Sequence, residues 1–380
     1  CVQVSAEILS ILDIILRKVR DSNLFMGGIL IIGTIDQVQL RPIQGLPFLL
    51  SPYVLTTFRM RVLEHYVRCA DCEVLQSLNG IARNLSVERI IRTERLGQIR
   101  RLLRDNCTSV AVWTDPIITD DVLRVFPRKE ETSAAVAAFL AHKEQQAKDD
   151  CRPHCRLSAI DSMIGMESHA DWKPANRSIV NMLSKQCREP KKLDFYEGAI
   201  YQFTFNCPAG RFKSTQLGLH LNVPPRDVLE LYRKIEIFVA PAGTRTFNIP
   251  IITEKELLRA GFIKTKVGIA PERPHNFWRH GMKAKRKQYA LKHHVASTIH
   301  SAIGHTVSKL ATELGKENSV WERAMVVVLI SRVRRARDLI FVGDPEANIE
   351  ALIEGLESRN QYDEYMDHVV DVLPGVAGAM

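Results

Sequence analysis

The 380-residue chain is 46% hydrophobic and 25% charged, which excludes a disordered chain and provides for more than one buried core. Its formal charge of +9 and pI near 9.1 rest on an ordinary charged fraction, so the excess is local and favours a polyanion, most simply nucleic acid, as partner. The longest apolar runs, Ile29 to Gly33 and Met325 to Ile330, fall far short of the roughly 20 residues a bilayer-crossing helix needs, so no membrane span is expected.

Cys1 leads straight into an amphipathic segment with no signal-peptide pattern, and the start reads as a truncation. From Ala6 to Arg20, Ile8, Ile11, Leu12, Ile15 and Val19 recur at three- and four-residue spacing and predict a helix with one apolar stripe, capped by Ser5. Ile29 to Ile32, behind Gly27-Gly28, suits a strand buried on both faces of a parallel sheet. Thr56 to Leu78 reads as helix, Ser109 to Trp113 and Val122 to Phe126 as short strands, and Thr132 to about Lys148 as a helix that completes a βα unit. Between Asp149 and Lys191 the pattern loses periodicity, which predicts an irregular insertion. From Phe195 to Pro241, Ala199 to Phe205 and Ile235 to Val239 predict strands of a small β-rich subdomain.

Eight cysteines dispersed over the chain point to a reducing compartment. Cys69 and Cys72 form a C-x-x-C pair, and Cys151, His154 and Cys155 form a second group with which they could hold zinc; free thiols are the alternative. The most basic stretch, Phe277 to His294, interleaves Lys285, Arg286, Lys287 and other cations with Trp278 and Tyr289, the mixture that binds single strands through phosphates and stacked bases. Met325 to Ile330 is a fully apolar strand candidate. Ser331 and Arg332 follow it, so Arg332 would stand at a strand's carboxyl end, the place for an arginine finger. Ile349, Leu352, Ile353 and Leu356 predict a helix over Pro345 to about Val372.

These segments resemble, in order, the motifs of the petite-integration-frequency (PIF) type superfamily 1 helicases. Val327 to Arg334 is similar to the sixth motif, V-x-L-S-R-[VT]; Asp36 and Gln39 to Ile43 to the third, G-D-x-x-Q-L-P-P-[VI]; and Leu55 to Arg59 to the fourth, L-x-x-x-F-R-Q. Leu123 to Lys129 resembles the element that opens the second lobe, and Thr298 to Thr306 the fifth motif, T-I-H-K-x-Q-G-x-T. Val4 to Glu7 resembles residues that closely follow the family's Asp-Glu pair. Departures are Ile35, Arg41, Met60, Ser301 and Ile303. No segment fits the phosphate-cradling loop G-x-x-x-x-G-K-[ST].

The resemblance implies an α/β, RecA-like P-loop NTPase core with an incomplete first lobe over 1–52, a second lobe over 53–148 and 276–380, and a partly irregular, partly β-rich insertion over 149–275. It implies an ATP- and Mg²⁺-dependent DNA helicase that moves 5′ to 3′ on single-stranded and forked DNA as a monomeric motor, serving DNA repair and recombination in the nucleus or mitochondrion. Gln39, Arg59 and Arg332 would contact the γ-phosphate and Gly304 would line the nucleotide side, while Thr298, His300, Ser301, Lys285, Arg286 and Lys287 would meet DNA. Without the phosphate loop and the metal carboxylate, these residues alone would not hydrolyse ATP. The rival readings are a non-enzymatic nucleic-acid-binding relic of a mobile element and an RNA-directed helicase.

Overall fold

The computed structural model describes residues 4–33, 45–46, 48, 51, 53–54, 57–59, 69, 72–83, 85, 89–166, 171–242, 244, 253–304, 306–315 and 318–358. They form two compact units, one built from residues 1–118, 125–129 and 298–380 and the other from 119–124 and 130–297.

The first unit opens with helix α1, Ala6–Val19, where the Ser5 side chain accepts the Ile8 N–H as the sequence predicts. Such a cap contributes about 1 kcal/mol. Buried Asp13 accepts the Met26 N–H at 2.6 Å and Arg17 Nε at 2.9 Å, tying the helix to the turn that follows. The predicted apolar stripe does not form the contact face. Ala6, Leu9 and Asp13 are the buried positions, whereas Ile8, Ile11, Ile14, Ile15 and Val19 remain 50–76% exposed. The strand expected at Ile29 to Ile32 does not form among the described residues, and Leu30 and Ile32 are largely exposed.

Helices α2, Glu73–Arg83, and α3, Arg89–Asn106, lead into strand β1, Thr108–Val110; β2 is Leu123–Phe126 and α4 is Lys129–Asp149. The second unit then continues with β3, His154–Ser158; β4, Ile160–Gly165; β5, Lys173–Pro174; and α5, Arg177–Gln186. It goes on through β6, Lys192–Tyr196; β7, Ile200–Phe203; β8, Leu217–Leu219; α6, Arg226–Glu230; β9, Ile235–Val239; α7, Glu254–Arg259; and β10, Ile263–Val267. Its last strands are β11, His275–Phe277; β12, Met282–Lys287; β13, Leu291–His293; and β14, Ala296–Thr298, whose final residue belongs to the first unit. The first unit closes with β15, Leu310–Thr312; α8, Arg323–Ile330; β16, Leu339–Val342; and α9, Pro345–Glu357.

The first unit's sheet has the order β1-β16-β15-β2-β14, with β16 parallel to both β1 and β15. All four residues of β2 and of β16 are buried; β16 is the run of apolar side chains that a parallel sheet covered on both faces requires, and β2 is apolar except for Arg124. Asn348 is clamped beneath it, accepting the Leu314 N–H and donating to the carbonyls of Val342 and Asp344, so a buried amide is fully used. The predicted strand at Met325 to Ile330 is the helix α8. Every residue of α8 is buried, and a helix apolar on all sides carries no periodicity to distinguish it from a central strand. Gly355 lets α9 approach it, since a Cβ there would lie 2.9 Å from Val326.

The second unit is β-rich. A five-stranded antiparallel sheet, β10-β9-β8-β7-β13, shares a core of Phe195, Tyr201, Phe203, Ile237, Tyr289 and Leu291 with the β3-β6 pair. A four-stranded sheet, β11-β12-β4-β5, packs Ala284 and Phe277 onto Ile179 and Leu183 of α5. Residues 149–166 and 171–191, in a stretch predicted to be irregular, carry β3, β4, β5 and α5. These strands are too short, and in β4 too evenly half-buried, to leave an alternating pattern in sequence.

Candidate functional site

Thr298, at the end of β14, begins a tight turn. Its hydroxyl accepts the Ser301 N–H at 3.2 Å and donates to Ser301 Oγ at 3.0 Å, while Ile299 N–H donates to the Phe126 carbonyl of β2. A single 3-10 turn, His300–Ala302, follows. Burial pushes the half-buried His300 imidazole below its ordinary pKa, so at neutral pH it presents an uncharged ring rather than a cation. Gly304 has φ +76°, which an L side chain adopts only with strain, although a Cβ there would meet open space. Its constraint is thus the turn, not crowding. Gly304→Val is expected to cost about 1–2 kcal/mol in thermal or urea unfolding, with Gly304→Asn milder; an unchanged valine variant would contradict this.

The loop then meets the end of α8. Val307 N–H donates to the Arg332 carbonyl at 3.0 Å, and the Arg332 guanidinium donates to Val328 O (3.0 Å), Ala302 O (3.4 Å) and Ser331 Oγ (2.7 Å). Arg332 is 1% exposed. The sequence placed it after a strand as an outward-reaching finger; it follows a helix and cross-links the fifth and sixth motif segments from within. Arg334, Arg335 and Arg337 are exposed, as solvated cations should be.

Arg59 is exposed, and its neighbour Phe58 packs edge-on against Phe25 and Phe48. Among the described residues no hydrogen bond or ion pair joins Arg59 to Arg332 or to the 298–304 turn. Gln39, with the whole third-motif match, lies outside the described residues.

The basic segment falls in the β-rich unit, where strand alternation divides it. Arg286 points toward α5. Its side chain pairs with Asp161 through two 2.8 Å bonds, donates also to Glu189 O and Ser184 Oγ, and is 1% exposed, so it does not join Lys285 and Lys287 on one surface. Lys285 and Lys287 lie on the opposite face with Lys283, a cation of the same basic stretch that was not among the three residues expected to meet DNA. Lys285 lies 2.8 Å from Glu272 and over the Trp172 ring, and Lys287 over the Tyr232 ring. As for zinc, His154 lies against Asp194 at 3.1 Å, Cys151 is exposed, and no cluster able to hold a metal occurs among the described residues.

A histidine group inside the β-rich core was not foreseen. His293 Nε2 accepts the Asp194 N–H at 3.1 Å, and burial, with His154 and Arg156 nearby, pushes its pKa down to about 3. His220 sits with Nδ1 3.2 Å from the Glu236 carbonyl and its pKa pushed by burial to about 4. These rings, neutral at ordinary pH, are buried in the core.

The sequence matches no family model and no curated protein. Solved structures do match. The chain superposes on Pif1 helicase from Candida albicans over 97% of its own length and 75% of that chain, with TM-score 0.61 and 15% identity. Pif1 helicase from Bacteroides in complex with ADP-AlF3 and ssDNA gives 97%, 74%, 0.61 and 15%, and Bacteroides Pif1 bound to ssDNA gives 90%, 68%, 0.56 and 17%. With the parallel sheet and the β-rich unit in place, the chain has the fold of these Pif1 helicase structures.

Proposed function

We propose that this chain is the sensing and strand-engaging part of an ATP-driven DNA helicase that acts on single-stranded and forked DNA in the 5′-to-3′ sense. The observation that carries the reading is the junction of Thr298–Val307 with Ser331–Arg332. Two segments thirty residues apart in hydrogen-bonded register, Ala302 and Arg332, match consecutive family motifs and are locked together by side chain and backbone. Thr298 and Ser301 shape the turn that would face the strand, neutral His300 offers a hydrogen bond rather than charge, and Arg332 fixes their position relative to α8. The solved relatives bound to ADP-AlF3 and ssDNA lend the same direction.

ATP with Mg²⁺ would supply the free energy of γ-phosphate hydrolysis, with Gln39 and exposed Arg59 as the groups of this chain that would meet phosphate. Arg332, buried and engaged, fits a positioning role better than direct contact. No phosphate-cradling loop occurs in the 380 residues, so hydrolysis requires donors beyond this sequence. That same feature, with Ser301 and Ile303 in place of the fifth motif's Lys and Gln, favours the second reading, a strand-binding relic without a motor.

Anisotropy titration of fluorescein-labelled oligo(dT), oligo(rU) and blunt duplex tests the first requirement. The chain is expected to bind dT more tightly than duplex, with affinity falling steeply between about 50 and 200 mM salt. Absence of single-strand binding at the low-salt end would overturn both readings, and preference for rU would overturn the DNA assignment. Joining a P-loop-bearing segment to the chain is expected to give ATP hydrolysis stimulated by dT; binding without stimulated hydrolysis selects the relic.

A further inference from the structure

We infer that the open face of the β11-β12-β4-β5 sheet is a second strand-binding surface, on which a single strand of nucleic acid lies along β12 with its phosphates on Lys283, Lys285 and Lys287. The inference rests on the nucleic-acid reading above and adds a track in the β-rich unit.

The register defines the face. Lys283, Lys285 and Lys287 stand opposite Ile164, Ser162 and Ile160 of β4, Asn276 of β11 stands opposite Lys283, and Pro174 of β5 opposite Ser162. Cross-strand partners share a face, and the alternate positions Ala284 and Arg286 are consumed by α5 on the other. The three lysines thus form a row at about 7 Å intervals on one face of β12, each partly exposed. Trp172 lies beneath Lys285, at 4.6 Å from ring centre to Nζ, and Tyr232 beneath Lys287 at 4.9 Å.

Evenly spaced cations beside aromatic rings on a flat strand complement a polymer with regular charge and planar bases, rather than a single anion or an acidic side chain. The carboxylate on this face, Glu272, is paired with Lys285 at 2.8 Å, and both side chains are about a quarter exposed. A phosphate would take its place without reorganising the sheet.

The test is anisotropy of the whole chain with oligo(dT) and oligo(rU) across a salt series, using the triple variant Lys283→Ser/Lys285→Ser/Lys287→Ser and the charge-keeping variant Lys283→Arg/Lys285→Arg/Lys287→Arg. Loss of three phosphate contacts is expected to flatten the log–log salt slope by about 2 and weaken low-salt binding at least about tenfold, with the arginine variant near wild type. Similar losses on dT and rU identify the phosphodiester as what is read; a loss confined to one names that strand as the occupant. Wild-type slope in the serine variant overturns the inference while leaving the proposed function standing. Failure of the unaltered chain to bind either strand removes both. A circular-dichroism melt of the serine variant matching wild type excludes unfolding as the cause.

Discussion

Arg286→Met is expected to destabilise the β-rich unit by about 3–5 kcal/mol, the largest effect of any single substitution considered, because it leaves a buried carboxylate without its partner. Asp161 and Arg286 have side chains 5% and 1% exposed, and the guanidinium also satisfies Glu189 O and Ser184 Oγ, so four acceptors lose a donor at once. The methionine keeps a stem of similar length on the same face of β12 as Ala284 but brings no charge. Removing both charges, in Asp161→Leu/Arg286→Met, is expected to recover much of the loss, since a well-packed apolar pair is often as stable as a buried ion pair. Urea unfolding followed by tryptophan fluorescence measures both. A loss below about 1 kcal/mol in the single variant would show the pair to be solvated and refute the assignment. The same variant separates structure from binding: under conditions where Arg286→Met stays folded, its oligo(dT) salt slope is expected to match wild type, unlike that of the lysine variant.

Arg286 also shows where sequence reading succeeded and where it stopped. The fold was legible through order: short strands followed by helices, and motif segments in sequence, led to a RecA-like core interrupted by a β-rich unit, and the solved structures share that fold. Elements with a clean local signal were found, such as α1 with its Ser5 cap and β9 at Ile235–Val239. What failed was anything decided by tertiary partners. Basic residues at 285–287 read as one patch because charge density ignores the alternation of a strand, and only pairing with β4 shows that Arg286 turns inward. Met325 to Ile330 read as strand because β-branched apolar residues suit either element when every side is buried. The helix α1 was correctly seen as amphipathic, yet its contact runs through Ala6, Leu9 and Asp13 rather than through the predicted stripe. Sequence also gave no sign that His220 and His293 are core residues, since a histidine carries its burial nowhere in its identity.

Those two histidines make acidification the second large effect. Both have native pKa values below the ordinary one, near 4 and 3, so the unfolded chain takes up protons that the native chain refuses. The sign follows: their contribution is complete above about pH 7 and is lost as pH falls through the unfolded value near 6.5 toward the native values. At about pH 5 the unfolded rings are almost wholly protonated and the native ones almost wholly neutral, so each costs about 2 kcal/mol, a figure that barely depends on the native value. Together they remove about 4 kcal/mol, much of the stability of an ordinary domain. The geometry explains the refusal. Protonating His293 would abolish the Asp194 N–H bond to Nε2, and protonating His220 would put charge on Nε2 in a pocket walled by Phe195 and Tyr201. Asp194 acts oppositely, because burial raises its pKa and a native proton there favours folding as pH falls, but this enters nearer the carboxylate range. Urea midpoints at about pH 7.5 and pH 5 are therefore expected to differ strongly, and His220→Phe to remove about half of the difference by abolishing one titration. Equal midpoints at the two pH values would mean that the rings reach solvent, and the core described for this unit would be wrong.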